Sequence, residues 1–113
     1  MLKMKLSDII NSLSLTVVVG DVERDLEGVY AGDFLSRAMS RVEAGDLWIT
    51  IMNNVNVIAV ASLTDAAAVL LAEDVSLMSD ALEAAREKDV TVLSSGLSVY
   101  ELCVALGKFG TAS

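Results

Sequence analysis

Residues 45–61 read GDLWITIMNNVNVIAVA, two apolar runs separated by Asn53 and Asn54. The first run, 46–51, is short and β-branched, as a buried strand would be. The second is apolar all round, so periodicity alone does not separate strand from helix. Topology does: if 46–51 and 67–72 are parallel neighbours, a crossover must join them. Only 55–64 is free to make it, which predicts a largely buried helix there. Asn53 and Asn54 then occupy the turn from a strand's carboxyl end into a helix N-terminus, where a short amide accepts from free N–H groups and tolerates left-handed backbone.

Working outward, apolar residues recur at helical spacing in four further places: Leu6, Ile9, Ile10 and Leu13; Leu35, Ala38, Met39 and Val42; Met78, Ala81, Leu82 and Ala85; and Val99, Leu102, Cys103 and Leu106. Between the helices lie 15–19, 28–31, 46–51, 67–72 and 90–94, too short for ordinary helices and mostly apolar on both faces. Such strands suit a parallel sheet covered on both sides. Asp33 and Ser79 stand where helix N-caps belong, and Gly45 where a left-handed residue ends the helix before it. The alternation predicts one three-layer α/β/α domain over 1–113 with a mostly parallel sheet.

Composition bounds the function. A chain of 113 residues that is 54% hydrophobic suits one domain with a real core. Eight basic against 16 acidic residues give a net charge of −8, which repels phosphate backbones and anionic membranes, so neither nucleic acid nor membrane is expected as a partner. No apolar stretch reaches the roughly 20 residues of a membrane span, and the N-terminal MLKMKLSD has no leader pattern. With a single cysteine, these features point to a cytoplasmic protein.

The order GDLWITI, turn, apolar helix, AAVLLAED, acidic helix, VTVLSSGLSVYELCVAL resembles the DRTGG domain, which is similar to the N-terminal domain of bacterial HPr kinase and occurs beside CBS modules. The likeness spans nearly the whole chain. It is strongest to stand-alone members associated in clostridia and related anaerobes with iron-hydrogenase and NADH-oxidising subunits. The resemblance implies an α/β/α fold, frequent homodimers, a metabolic or redox partner and no catalytic activity. Its naming motifs are absent: Asp-Arg would fall on Asn53 and Asn54, and Thr-Gly-Gly on Ala72, Glu73 and Asp74. Gly45, Thr50 and the pair Tyr100-Glu101 keep the family frame.

In an open α/β sheet, ligands bind beyond the carboxyl ends of the strands. Those ends deliver Asp33, then Asn53 and Asn54, then Glu73 and Asp74, then Ser94 and Ser95, the candidate ligand-binding residues. They suit a small polar ligand better than a phosphate, while cap and turn chemistry selects the same residue types. Without histidine there is no imidazole base, neither serine has an activating partner, and the phosphate-binding G-x-x-x-x-G-K-[ST] motif is missing. No catalytic residue, metal or cofactor is assigned. Cys103, on an apolar stripe, reads as an inert buried thiol; Met39, Trp48 and Tyr30 are candidate interface residues, with core packing the first reading for Met39 and Trp48; and 20–28 reads as a solvated acidic connection, with partner docking as the alternative.

The expected role is a non-catalytic regulatory or interaction domain, with small-ligand sensing as its candidate activity. One alternative is a phospho-switch like the anti-sigma antagonists, modified at Ser36, Ser40, Ser94 or Ser95. Another is a small metal-dependent enzyme working on the rim.

Overall fold

The computed structural model describes residues 4–109. The elements run β1 (Met4–Lys5), α1 (Leu6–Leu13), β2 (Thr16–Val19), β3 (Asp25–Leu26), β4 (Gly28–Ala31), α2 (Leu35–Arg41), β5 (Asp46–Thr50), α3 (Val55–Thr64), β6 (Ala68–Leu71), α4 (Ser79–Glu87), β7 (Val92–Ser94) and α5 (Val99–Gly107). Five strands form one sheet in the order β2-β7-β6-β5-β4. β4, β5, β6 and β7 are parallel neighbours, as the connection rules require, and α3 is the expected crossover.

Side-chain alternation assigns the layers. Leu47 and Ile49 of β5, Leu70 of β6 and Leu93 of β7 pack with Leu6, Ile9, Leu102 and Leu106 under α1 and α5. Trp48, Val69, Leu71 and Val92 point the other way, to Ala38, Val57, Ile58, Ala61, Ala81 and Ala85 of α2, α3 and α4. Every residue of β6 is fully buried, which explains why its sequence shows no alternation. α3, squeezed between its neighbours, buries Val57, Ile58 and Ala61. No helix among the described residues is long and apolar enough to cross a membrane.

β2 departs from the parallel pattern and pairs antiparallel with β7, with an irregular register between Val17 and Val19. The reason is the link that follows. A parallel β2 would need a crossover long enough to climb the sheet, whereas 20–27 contains no helix. Running antiparallel, β2 finishes at the end of the sheet where β4 starts, and 20–27 crosses beneath the sheet from one edge to the other. Four inter-strand steps of about 4.8 Å, roughly 19 Å in all, are within reach of eight extended residues.

That link is structured rather than merely solvated. Leu26 is fully buried, and β3 pairs antiparallel with β1. Arg24 forks onto Asp65 with contacts of 3.0 and 3.1 Å and donates to the Asp65 carbonyl at 2.9 Å, pinning the link to the end of α3. The Thr91 hydroxyl donates to the Asp21 carbonyl at 2.7 Å, and the Glu27 N–H to the Gly45 carbonyl at 2.9 Å.

Three local expectations are corrected. Asp33 and Ser79 are not side-chain caps: α2 and α4 begin after Phe34 and Met78, neither of which caps. Gly45 does have positive φ, +87°, but α2 ends earlier, at Arg41, and Gly45 serves the turn into β5. A Cβ there would run into Cγ and Cβ of Glu27, so the glycine is needed for the close passage of the link. Met39, expected in the core, is 45% exposed, while Trp48 is fully buried. Cys103 is partly buried and packs against the α1/α5 layer.

Candidate functional site

The carboxyl ends of β4 to β7 bring the predicted residues onto one rim, and hydrogen bonds join each loop to the next. At the β4 end, one Asp33 carboxylate oxygen accepts from the Thr50 hydroxyl at 2.7 Å and from the Ile51 N–H at 3.1 Å. Thr50 is fully buried and accepts in turn from the Met52 N–H at 3.1 Å. The Trp48 indole N–H holds the Gly32 carbonyl at 3.0 Å, fixing the backbone that carries Asp33. Asp33 therefore clamps the β4 and β5 loops together.

The two asparagines divide the work of the next turn. Asn54 is the N-cap of α3, its side-chain oxygen accepting from the N–H groups of Asn56 at 3.1 Å and Val57 at 3.4 Å. Asn53 reaches sideways: its side-chain amide donates to the Ser76 carbonyl at 2.7 Å, and its own carbonyl accepts from the Met78 N–H at 3.1 Å. It thus ties the β5 loop to the β6 loop.

Glu73 and Asp74 have φ of +59° and +63° and sit in the middle of a turn closed by the Val75 N–H on the Ala72 carbonyl at 3.2 Å. Two adjacent left-handed residues are the signature of a turn that favours glycine at both centres. These are the positions on which the two glycines of the DRTGG motif would fall. Their N–H groups donate to the carbonyls of Leu97 and Ser95, both at 2.9 Å, stitching the β6 loop to the β7 loop. Replacing Glu73 with glycine relieves left-handed strain and is expected to raise stability by about 1 kcal/mol, read as a higher urea midpoint. An unchanged or lower midpoint would mean that the Glu73 side chain contributes more than its backbone costs.

Ser95 accepts from the Leu97 N–H at 3.0 Å through its hydroxyl, and Ser94, partly buried, lines a pocket of about 250 Å³ together with Asp74. A capping box opens α5: the Ser98 hydroxyl accepts from the Glu101 N–H at 3.1 Å while the Glu101 carboxylate accepts from the Ser98 N–H at 2.9 Å. The S-x-x-E spacing that announces this box is present in the sequence at 98–101. Thr50, Asp33's buried partner, is the rim residue that sequence reasoning did not connect, since nothing in a single chain pairs positions 33 and 50.

The rim consequently spends most of its polar groups on itself. The N–H groups of Asn56, Val57, Glu73, Asp74, Leu97 and Glu101 all have partners within the protein. Facing outward are the carboxylates of Glu73 and Asp74, exposed apolar side chains such as Phe34 and Tyr100, and a few polar groups including Arg37, Asn56 and Ser76. Among the described residues, no group of three or more Asp, Glu, Cys or His side chains comes together to hold a metal. At the opposite end of the sheet, burial pushes the Asp46 carboxyl above its usual range, opposed by the Glu43 N–H at 2.8 Å and reinforced by the Glu43 charge.

No family model and no curated protein matches the sequence. Among solved structures, the chain is similar to the crystal structure of the CBS and DRTGG domains of the regulatory region of Clostridium perfringens pyrophosphatase, complexed with its activator diadenosine tetraphosphate. The two superpose with a TM-score of 0.74 at 12% sequence identity, over 90% of this chain and 45% of that chain. The fold is DRTGG-like. The chain spans less than half the length of the structure it matches, and at this identity the likeness concerns architecture.

Proposed function

We propose that this protein is a regulatory or protein-interaction domain without catalytic activity of its own, working as a homodimer within a larger metabolic or redox assembly of the hydrogenase type. The observation that carries this reading is the self-satisfied rim: the loops where an α/β enzyme would place its chemistry are hydrogen-bonded to one another into a fixed surface. The regulatory context of the DRTGG-like neighbour supports it.

Small-ligand sensing would use Asp33, Asn53, Asn54, Glu73, Asp74, Ser94 and Ser95. For that rim a phosphorylated ligand is a poor match. Asn53 and Asn54 carry no charge, the Asn53 side-chain NH2 and the Asn54 side-chain oxygen are engaged, and Glu73 and Asp74 repel an anion. Titration with adenine nucleotides, with and without magnesium, is expected to give no Kd tighter than about 1 mM, roughly −4 kcal/mol. Micromolar binding lost in Asn53→Ala, with the fold intact, would make the turn a nucleotide site. Light scattering at micromolar concentration is expected to return twice the chain mass, and a monomer alone would remove the dimer from the proposal. Turnover of any substrate at the rim would overturn the non-catalytic reading itself.

A further inference from the structure

Large apolar side chains are exposed around the carboxyl-end rim: Phe34 and Tyr100 at 77% each, Met78 at 49%, Ile51 at 41% and Val55 at 40%. They lie on loops and helix starts at one end of the sheet, which the hydrogen bonds from Ile51 to Asp33, from Asn53 to Ser76, and from Asp74 to Ser95 join to one another. Among the described residues, the charges there are nearly all negative: Asp33, Glu73, Asp74, Asp80 and Glu101 against the cation Arg37. An apolar surface rimmed by one sign of charge is unusual for a face that stays in water.

From this combination we propose that the rim docks a protein segment in which apolar anchors are accompanied by lysine or arginine. This deepens the proposed interaction role and rests on it. Two pockets give the segment a direction. At the β7 end, Val18, Val75, Leu77 and Leu82 wall a pocket of about 250 Å³ that also has Asp74 and Ser94 in its lining. That combination accepts a lysine or arginine, with the methylene stem against the apolar wall and the cationic head on the carboxylate.

At the β4 end, Tyr30, Gly32, Asp33, Phe34 and Arg37 line a pocket of about 330 Å³ that suits an aromatic or aliphatic anchor. Arg37 disfavours a second cation there and orients the segment with its basic end towards Asp74. The pockets lie near opposite sides of the rim, three or four strand spacings apart, roughly 14–19 Å. In an extended segment, the basic residue and the anchor are then about five residues apart.

The test uses a synthetic peptide of about twelve residues with two lysines near one end and Phe-Leu about five residues further on, and an isomer with glutamates in place of the lysines. Binding is followed by fluorescence anisotropy at low salt and mapped by amide chemical-shift changes in the full chain. The lysine peptide is expected to bind at least about tenfold more tightly than its isomer, with shifts at 33–37, 51–55, 73–82 and 94–101. Asp74→Asn, which retains a residue tolerant of left-handed backbone, and Phe34→Ala, at an exposed position, should each weaken it about tenfold.

Glu23→Gln with Glu87→Gln, removing two charges from the other end of the sheet where Asp74→Asn removes one from the rim, should change it by less than about twofold. Equal affinity for the two peptides, absence of binding by both, an unaffected Asp74→Asn, or an equal loss in the control pair would each overturn the docking proposal. Shifts confined to the opposite end of the sheet would overturn the site and leave the interaction role standing, whereas catalytic turnover would overturn that role.

Discussion

Gly20→Ala is expected to lower the stability of this domain by about 3 kcal/mol, a large part of the 5–15 kcal/mol that holds a typical domain together. Two effects act at once. The backbone at Gly20 has φ of +106°, outside the left-handed well that other residues tolerate. A Cβ built there would lie 2.5 Å from both Cα and Oγ1 of Thr91. The first of these atoms is backbone and cannot rotate away. The second belongs to the hydroxyl that holds the Asp21 carbonyl, so relief at Thr91 would release the link beneath the sheet. Gly96→Ala is the control: nothing lies within 4 Å of a Cβ at that position, and its φ is not positive. Urea titration should show a midpoint lowered substantially for Gly20→Ala and changed by less than about 0.5 kcal/mol equivalent for Gly96→Ala. Similar midpoints for Gly20→Ala and the parent protein would mean that the β2 end relaxes freely.

Trp48→Ala is expected to cost about 4 kcal/mol, since it removes the largest fully buried side chain from the α2/α3/α4 layer and leaves a cavity between sheet and helices. Its second consequence is local. The Gly32 carbonyl loses its indole donor, and the loop bearing Asp33 loses one of its anchors. Trp48→Phe separates the two: it keeps most of the packing and deletes the donor, at an expected cost of about 1–2 kcal/mol. Thermal unfolding followed by circular dichroism measures both variants. Amide shifts at 32–34 in Trp48→Phe report whether the hydrogen bond positions the rim. A small loss in Trp48→Ala would contradict the packing described here.

The pattern of strands and helices was legible because burial writes itself into sequence. Val55 to Ala61 is apolar on every side, yet the need for a right-handed crossover between two parallel strands identifies it as helix, and α3 is where that reasoning puts it. The direction of β2 was not legible. Val17, Val18 and Val19 look like residues of any apolar strand, and only the shortness of 20–27 set against the full strand order reveals that the strand must run backwards.

Rim residues show the same division. Asn54 behaves as its local context dictates, because capping needs only the next three residues. Asn53, Asp33 and Thr50 act across the sheet, on partners 17 and 23 positions away, which no local pattern contains. Met39 differs for a geometric reason: it stands about 100° around α2 from Ala38, and because Ala38 points into the layer, Met39 is left 45% exposed.

The antiparallel seat of β2 also governs when the domain can assemble during synthesis. Val17 faces Leu93, so the first strand of the main sheet completes its ladder only against the last. A chain emerging from the ribosome carries β2 for about 75 residues before its partner exists, and closing that long loop brings an entropic cost that nearby pairings avoid. Until then β4, β5 and β6 have each other, while the valines of β2 have no edge to join. An apolar strand waiting through most of translation invites chaperones or a neighbouring chain. Premature truncation anywhere before β7 would therefore strand the amino-terminal segment outside the sheet, leaving a product that folds in its middle and sticks at its beginning.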